Sequence, residues 1–250
     1  MRYIGYIAFF FAILALPYAS KAMYLNVEGP VNGTLYNNGS IFLGKVGPGE
    51  SFYVLASPTT TNATGFLVNI GWDTLEAVKL PYGWSAQPSP LYENPMKMKI
   101  TVAPNAPYGM YEITLRAVNI QNYSRLGNLT FNAYINVTPD VFALNVVPKV
   151  AEAGVGQPVN LLITINNTGI SDDPFVINAY GLPAWNISDT VIALHGKTSK
   201  FIYPVFVNEP GVYKFNLSVS SATSPLIHKE YQIKLTGIAS ISNDYGSINE

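Results

Sequence analysis

The chain predicts an all-β protein made of two tandem β-sandwiches, an expectation carried by a period-2 pattern, an absence of helical periodicity and an internal repeat. After residue 22, short runs of alternating apolar and polar residues are bounded by Gly, Pro and Asn. That is the pattern of strands with one face in a core. No window beyond the N-terminal segment repeats apolar residues at helical spacing. With 250 residues, the chain is long enough for two domains that each bury a core.

The repeat is clearest in one strand. In Gly109-Met-Tyr111-Glu-Ile113-Thr-Leu115-Arg-Ala117 the odd positions are apolar, so Tyr111, Ile113, Leu115 and Ala117 share a face. The arrangement returns as Gly211-Val-Tyr213-Lys-Phe215-Asn-Leu217-Ser-Val219, displaced by 211 − 109 = 102 residues. Two turns repeat in the same order. Leu80-Pro81-Tyr-Gly-Trp84 answers Leu182-Pro183-Ala-Trp185 at an offset of 102, and Val46-Gly47-Pro-Gly-Glu50 answers Val155-Gly156-Gln157-Pro158 at 109. Each copy thus runs from a Val-Gly turn through a strand (Phe52–Ala56, Val159–Ile165) to a Leu-Pro-Trp turn and then a Gly-x-Tyr strand. About 100 residues of such strands is the size of an immunoglobulin-like sandwich.

Within that frame Trp84 and Trp185 are expected to anchor the inter-sheet core, with sugar stacking as the lesser alternative. Tyr111 and Tyr213, at the start of their strands, are placed to hydrogen-bond nearby backbone as in a tyrosine corner. Pro139 ends one alternation and Val141 begins the next, which divides the chain into residues 23–138 and 139–236, with a polar tail at 237–250. Arg2, the apolar run Tyr3–Leu16 and the small residues Ala19-Ser20-Lys21-Ala22 have the order of a secretory signal peptide, residues 1–22.

Nine Asn-x-Ser/Thr sequons, at Asn32, Asn38, Asn62, Asn122, Asn128, Asn136, Asn166, Asn186 and Asn216, stand out against composition. The 23 Asn and 33 Ser+Thr of the chain predict only 23 × 33/250, or about three, by chance. N-linked glycans on most of them would compensate for a charged content of only 12%, about half that of an average soluble protein. They would also shield exposed strand edges. A net charge of −1 offers no footprint for nucleic acid and no polybasic membrane patch. The chain has no Cys, so thiol chemistry and disulfides are excluded.

Catalytic chemistry is hard to find. The two histidines, His195 and His228, fall in turn-like or strand-end contexts, and no nucleophile elbow, zinc-protease, P-loop or dinucleotide motif occurs. Asp172-Asp173, in the loop Gly169–Pro174, reads as a solvated turn rather than a Ca²⁺ site. No enzyme activity, catalytic residue, metal or cofactor is expected.

The Leu80–Trp84 turn followed by Ile100-Thr-Val-Ala-Pro104-Asn-Ala-Pro-Tyr-Gly109-Met-Tyr111 resembles the immunoglobulin-like modules of archaeal and bacterial surface glycoproteins. The chain as a whole, with its signal peptide, tandem sandwiches, dense sequons and few charges, is similar to the ectodomain of archaeal S-layer stalk subunits. The resemblance implies a structural glycoprotein at the cell surface that holds a lattice away from the membrane. Its partners would be an S-layer lattice protein or further copies of itself. It also implies a coiled coil and a C-terminal transmembrane helix, neither of which precedes Glu250, so membrane contact is expected to be indirect or through a missing or uncleaved anchor. Two alternatives remain: a filament subunit in which Met23–Thr34 completes a neighbour's sheet, and a carbohydrate-binding module using Trp84, Trp185 or Tyr82.

Overall fold

A computed structural model describes residues 24–61, 67–120, 127–183 and 187–239. All regular structure in them is β. The first sandwich has on one sheet β1 (Tyr24–Gly29), β2 (Gly33–Tyr36), β4 (Ser51–Ala56), β8 (Ser85–Gln87) and β9 (Met96–Thr101), in the order β2-β1-β4-β9-β8. Facing it is a sheet of β3 (Gly39–Val46), β7 (Thr74–Lys79), β10 (Gly109–Val118) and β11 (Leu129–Val137), ordered β3-β11-β10-β7. A two-stranded ribbon, β5 (Thr59–Thr61) and β6 (Leu67–Gly71), projects between β4 and β7.

The second sandwich pairs β12 (Phe142–Val147), β14 (Val159–Asn167) and β17 (Thr198–Val205), ordered β12-β14-β17. Its other sheet holds β13 (Val150–Gly154), β15 (Asp173–Tyr180), β16 (Ser188–Ala193), β18 (Gly211–Ser221) and β19 (His228–Ile238), ordered β13-β19-β18-β15-β16.

Each of the eight strands of the second copy has a counterpart in the first, in the same order, while β2 and the ribbon β5–β6 have none, and the chain belongs to the immunoglobulin-like β-sandwich class. In each, an early strand switches sheets to lie parallel to the last: β3 beside β11, β13 beside β19. The repeated Gly-x-Tyr segments are β10 and β18, each central in its sheet and antiparallel to the strand that follows. The differences are local. The ribbon β5–β6 occupies the connection that in the second copy runs directly from β14 to β15, which accounts for the offset contracting from 109 to 102. The short strand after the Leu-Pro turn joins β9 in the first sandwich but β15 in the second.

Alternation along the strands builds two cores. β11 alternates buried and half-buried residues from Leu129 to Val137, and β10 sends Ile113, Leu115 and Ala117 inward against Phe52, Met98 and Phe131. Phe142, Phe175, Tyr203, Phe215 and Leu217 fill the second core. The last core residue of the first is Val137 and the first of the second is Val141. Ile170 crosses over: it belongs to the second sandwich in sequence but packs in the first core.

Of the segment Met23–Thr34, residues 24–34 are built into their own sandwich, and Met23 lies outside the described residues. β1 lies between β2 and β4, with Leu25 and Val27 buried. It is therefore not a free strand for donation. Among the described residues no helix is long and apolar enough to cross a membrane; the run Tyr3–Leu16 lies outside them.

Candidate glycan-bearing surface and inter-sandwich junction

Six of the nine sequon asparagines lie among the described residues. Asn32, Asn38, Asn128, Asn166 and Asn216 are exposed, and Asn136 is half-buried; Asn62, Asn122 and Asn186 lie outside. Asn32 and Asn38 sit in turns, and Asn38 adopts φ 62°, a left-handed conformation that Asn tolerates. The other placement was not evident from the sequence. Asn136, Asn166 and Asn216 lie on β11, β14 and β18, which are interior strands of their sheets. Their side chains alternate with core residues such as Ile135, Ile165 and Phe215 and so stand on the outer sheet faces. Glycans there would cover faces, not strand edges.

Trp84 is 8% exposed and stacks on Tyr111, with ring centroids 5.4 Å apart. It is a core anchor and offers no platform to a sugar. Trp185 lies outside the described residues. Tyr82, in the same turn as Trp84, is fully exposed. Both tyrosine corners form: Tyr111 Oη–H donates to Pro107 O at 2.8 Å and Tyr213 Oη–H to Glu209 O at 3.1 Å, each four residues back. The glycine opening each strand has positive φ, 144° at Gly109 and 154° at Gly211, which sets the corner before the strand enters the sheet.

The sandwiches meet through a built interface. The connection, Thr138–Val141, is held at both ends: Thr138 N–H donates to Val46 O, and Val141 O accepts from Thr168 N–H and Gly169 N–H. Ile170 N–H donates to Lys45 O at 2.8 Å, and Ser171 Oγ–H to Ser51 O at 2.8 Å. Two glycines permit the approach. A Cβ on Gly44 would come within 2.6 Å of Ile170 Cγ2, and one on Gly47 would overlap Ile227 Cδ1. Beside this contact a groove of about 180 Å³ is lined by Tyr53 and Lys97 from the first sandwich and by Ile170, Asp172 and His195 from the second.

The acidic pair Asp172-Asp173 does not form a solvated turn. Alternation at the start of β15 turns the two side chains opposite ways. Asp172 accepts at Oδ1 from His195 N–H at 2.8 Å and lies 2.6 Å from His195 Nδ1. Burial alone would raise its pKa, but the His195 hydrogen bonds and charge, with Lys97, hold it below the ordinary carboxylate value. Asp173 points inward and is 1% exposed. Its Oδ1 accepts from Ser221 Oγ–H at 2.9 Å and Thr223 Oγ1–H at 3.0 Å, while its Oδ2 is buried and meets no amide or hydroxyl donor.

Glu50 of the first sandwich, also 1% exposed, lies beside Asp173: the neighbouring Ser51 O accepts from Ser171 Oγ–H, the neighbouring Gly49 lies against Thr223, and Glu50 Oε2 accepts from Gly47 N–H. Burial pushes the Glu50 carboxyl from 4.5 up to about 7 against that hydrogen bond, and the charge and hydrogen bond of Asp173 raise it further. Asp173 is raised as well, by burial that outweighs its bonds to Ser221, Thr223 and Glu50.

Sequence reasoning passed over Glu50. Its one signal was a lone carboxylate in a nearly uncharged stretch opening a strand, at a position whose counterpart in the second copy, 50 + 109 = 159, is Val159. Among the described residues no three His, Asp or Glu side chains converge to hold a metal ion.

No protein family matches the chain and no curated protein is similar to it in sequence. Similar solved structures are distant. A β-glucosidase from Listeria innocua in complex with glucose aligns at 17% identity and a TM-score of 0.29 over 40% of this chain. The chain covers only 16% of that enzyme's length. A chimeric titin Z1Z2 aligns at 12% identity and a TM-score of 0.36, covering 88% of this chain and 98% of that one. The D00-D0 domain of intimin aligns at 12% identity and a TM-score of 0.28, covering 85% and 99%.

Proposed function

We propose that the chain is a structural glycoprotein of a cell envelope, a spacer or stalk of the S-layer type that links a surface lattice to the cell and carries no catalytic activity. The single observation that supports it most is the junction. Four residues, Thr138–Val141, connect the sandwiches, and side chains and backbone from both sides are tied across it, so the pair acts as one stiff strut rather than two tethered modules. Sequons on both sandwiches fit a strut whose lateral faces are sheathed in sugar while its ends and strand edges meet a lattice protein or another copy.

The carbohydrate-binding alternative retains Tyr82 as an exposed ring. The strand-donation alternative would require β1 to leave a core that contains Leu25 and Val27.

Glycopeptide mapping of the native protein, together with electron microscopy of isolated envelopes, tests the proposal. Occupied sequons and density in register with a surface lattice are expected. Unmodified asparagines, or a protein dispersed without lattice register, would overturn it.

A further inference from the structure

We propose that Glu50 and Asp173 form an acid-operated latch: a single proton shared between the two buried carboxyls locks the sandwiches together, and its loss frees the joint. The latch is a property of the joint itself and does not depend on what the strut connects.

The geometry requires a proton. Glu50 stands at the end of the β3–β4 turn and Asp173 at the start of β15, so the contact between them is a contact between sandwiches. Both residues are 1% exposed. Two unprotonated carboxylates side by side in such a site repel one another with little water to screen them. One proton turns the same contact into a carboxyl–carboxylate hydrogen bond, the short and strong kind. It also supplies a donor to a site where Asp173 Oδ2 has no amide or hydroxyl of its own.

Glu50 is the holder of that proton. Asp173 already takes two hydroxyl hydrogens at Oδ1, from Ser221 and Thr223, which favour its charged form, whereas Glu50 takes only Gly47 N–H. The burial that raises the Glu50 carboxyl places its release near neutral pH.

Among the described residues no cation acts on either carboxyl of the pair. From β9 the Lys97 amine acts on Asp172, and from the β16–β17 turn His195 does the same. Lys45 on β3 acts on Asp140, which Lys229 of β19 holds directly. His228, at the start of β19, has Nδ1 3.2 Å from Pro225 O. Around Asp173, the end of β18 contributes the uncharged Ser221 and the β18–β19 loop the uncharged Thr223, with Ser224 N–H donating to Ser221 Oγ.

The repeat supplies an independent mark. Glu50 corresponds to Val159 in the second copy, and the offset of 102 takes Asp173 to Gly71, at the end of the ribbon that only the first copy has. Neither acid is part of the duplicated framework. Each stands only where the two copies touch.

Because the chain lacks Cys, one spin label can be placed in each sandwich through Lys79→Cys and Lys214→Cys, both exposed and away from the junction. Inter-label distances are then read by double electron–electron resonance at pH 5 and pH 9 in EDTA. The latch predicts one narrow distribution at pH 5 and loss of that narrow peak at pH 9. Glu50→Gln, whose amide donates at every pH, should stay narrow at both, with far-UV circular dichroism reporting that it folds. Asp173→Asn serves the same purpose should Glu50→Gln fail to fold. A pH-independent width in the parent protein, or a Glu50→Gln variant that broadens as the parent does, would overturn the proposal. Narrowing restored at pH 9 by millimolar CaCl2 would overturn it in favour of a cation as the linking group.

Discussion

A phenol placed at the mouth of a strand has a small but definite job. Tyr111 and Tyr213 bridge back four residues to Pro107 O and Glu209 O, pinning the loop that delivers β10 and β18 into their sheets. A neutral hydrogen bond of this kind contributes about 1 kcal/mol. Tyr111→Phe and Tyr213→Phe are each expected to lower the unfolding free energy by about that much without altering the circular dichroism spectrum, measurable as a shift in the urea midpoint at unchanged slope. A loss near zero in both would mean that solvent replaces the bond at no cost. These corners were legible in the sequence because Gly-x-Tyr opens an alternating run twice at a fixed offset. The burial of Asp173 was not: beside Asp172 it looks like a polar turn, and only the start of β15 at that residue turns the two side chains in opposite directions.

At the level of elements, the strand pairings follow from binary patterning, and what the pattern leaves open is which sheet a short strand joins. β8 and β16 follow equivalent Leu-Pro turns yet sit on opposite sheets. Ser-Ala-Gln in β8 has too few apolar residues to choose a face, so tertiary contacts decide. The β14–β15 loop shows a further element-level effect. By filling the first core from the second sandwich, Ile170 couples two elements that no local pattern connects. Ile170→Ala removes three methyl or methylene carbons from a site 8% exposed, and a cost of about 2–3 kcal/mol is expected. Although residue 170 belongs to the second sandwich, the loss should lower the melting temperature of the first. Hydrogen exchange that accelerates in β3 and β4 while the core of β18 and β19 stays protected would check this; acceleration confined to β18 and β19 would refute it.

For the whole molecule, the junction makes stability a function of pH with a definite sign. Glu50 titrates at about 7 in the folded chain against an ordinary value of 4.5, so between those limits the native protein holds a proton that the unfolded chain has released. Unfolding free energy therefore falls as pH rises through that window, and the stabilising contribution is fully present only below 4.5. A difference of that size corresponds to an upper bound of about 3 kcal/mol, and the raised Asp173 acts in the same direction. Asp140 and Asp172 act oppositely: lowered by Lys229 and by His195 respectively, they stabilise above the ordinary carboxylate value and lose that contribution as pH falls through their own. Both are surface ion pairs and contribute little. The curve should thus peak in moderately acid solution rather than near neutrality. Calorimetry is expected to show one cooperative transition at pH 5, where the sandwiches melt together, and two resolved transitions at pH 9, where each melts alone. In Glu50→Gln the single transition should persist to pH 9, because the joint then has a donor that no change in proton concentration removes.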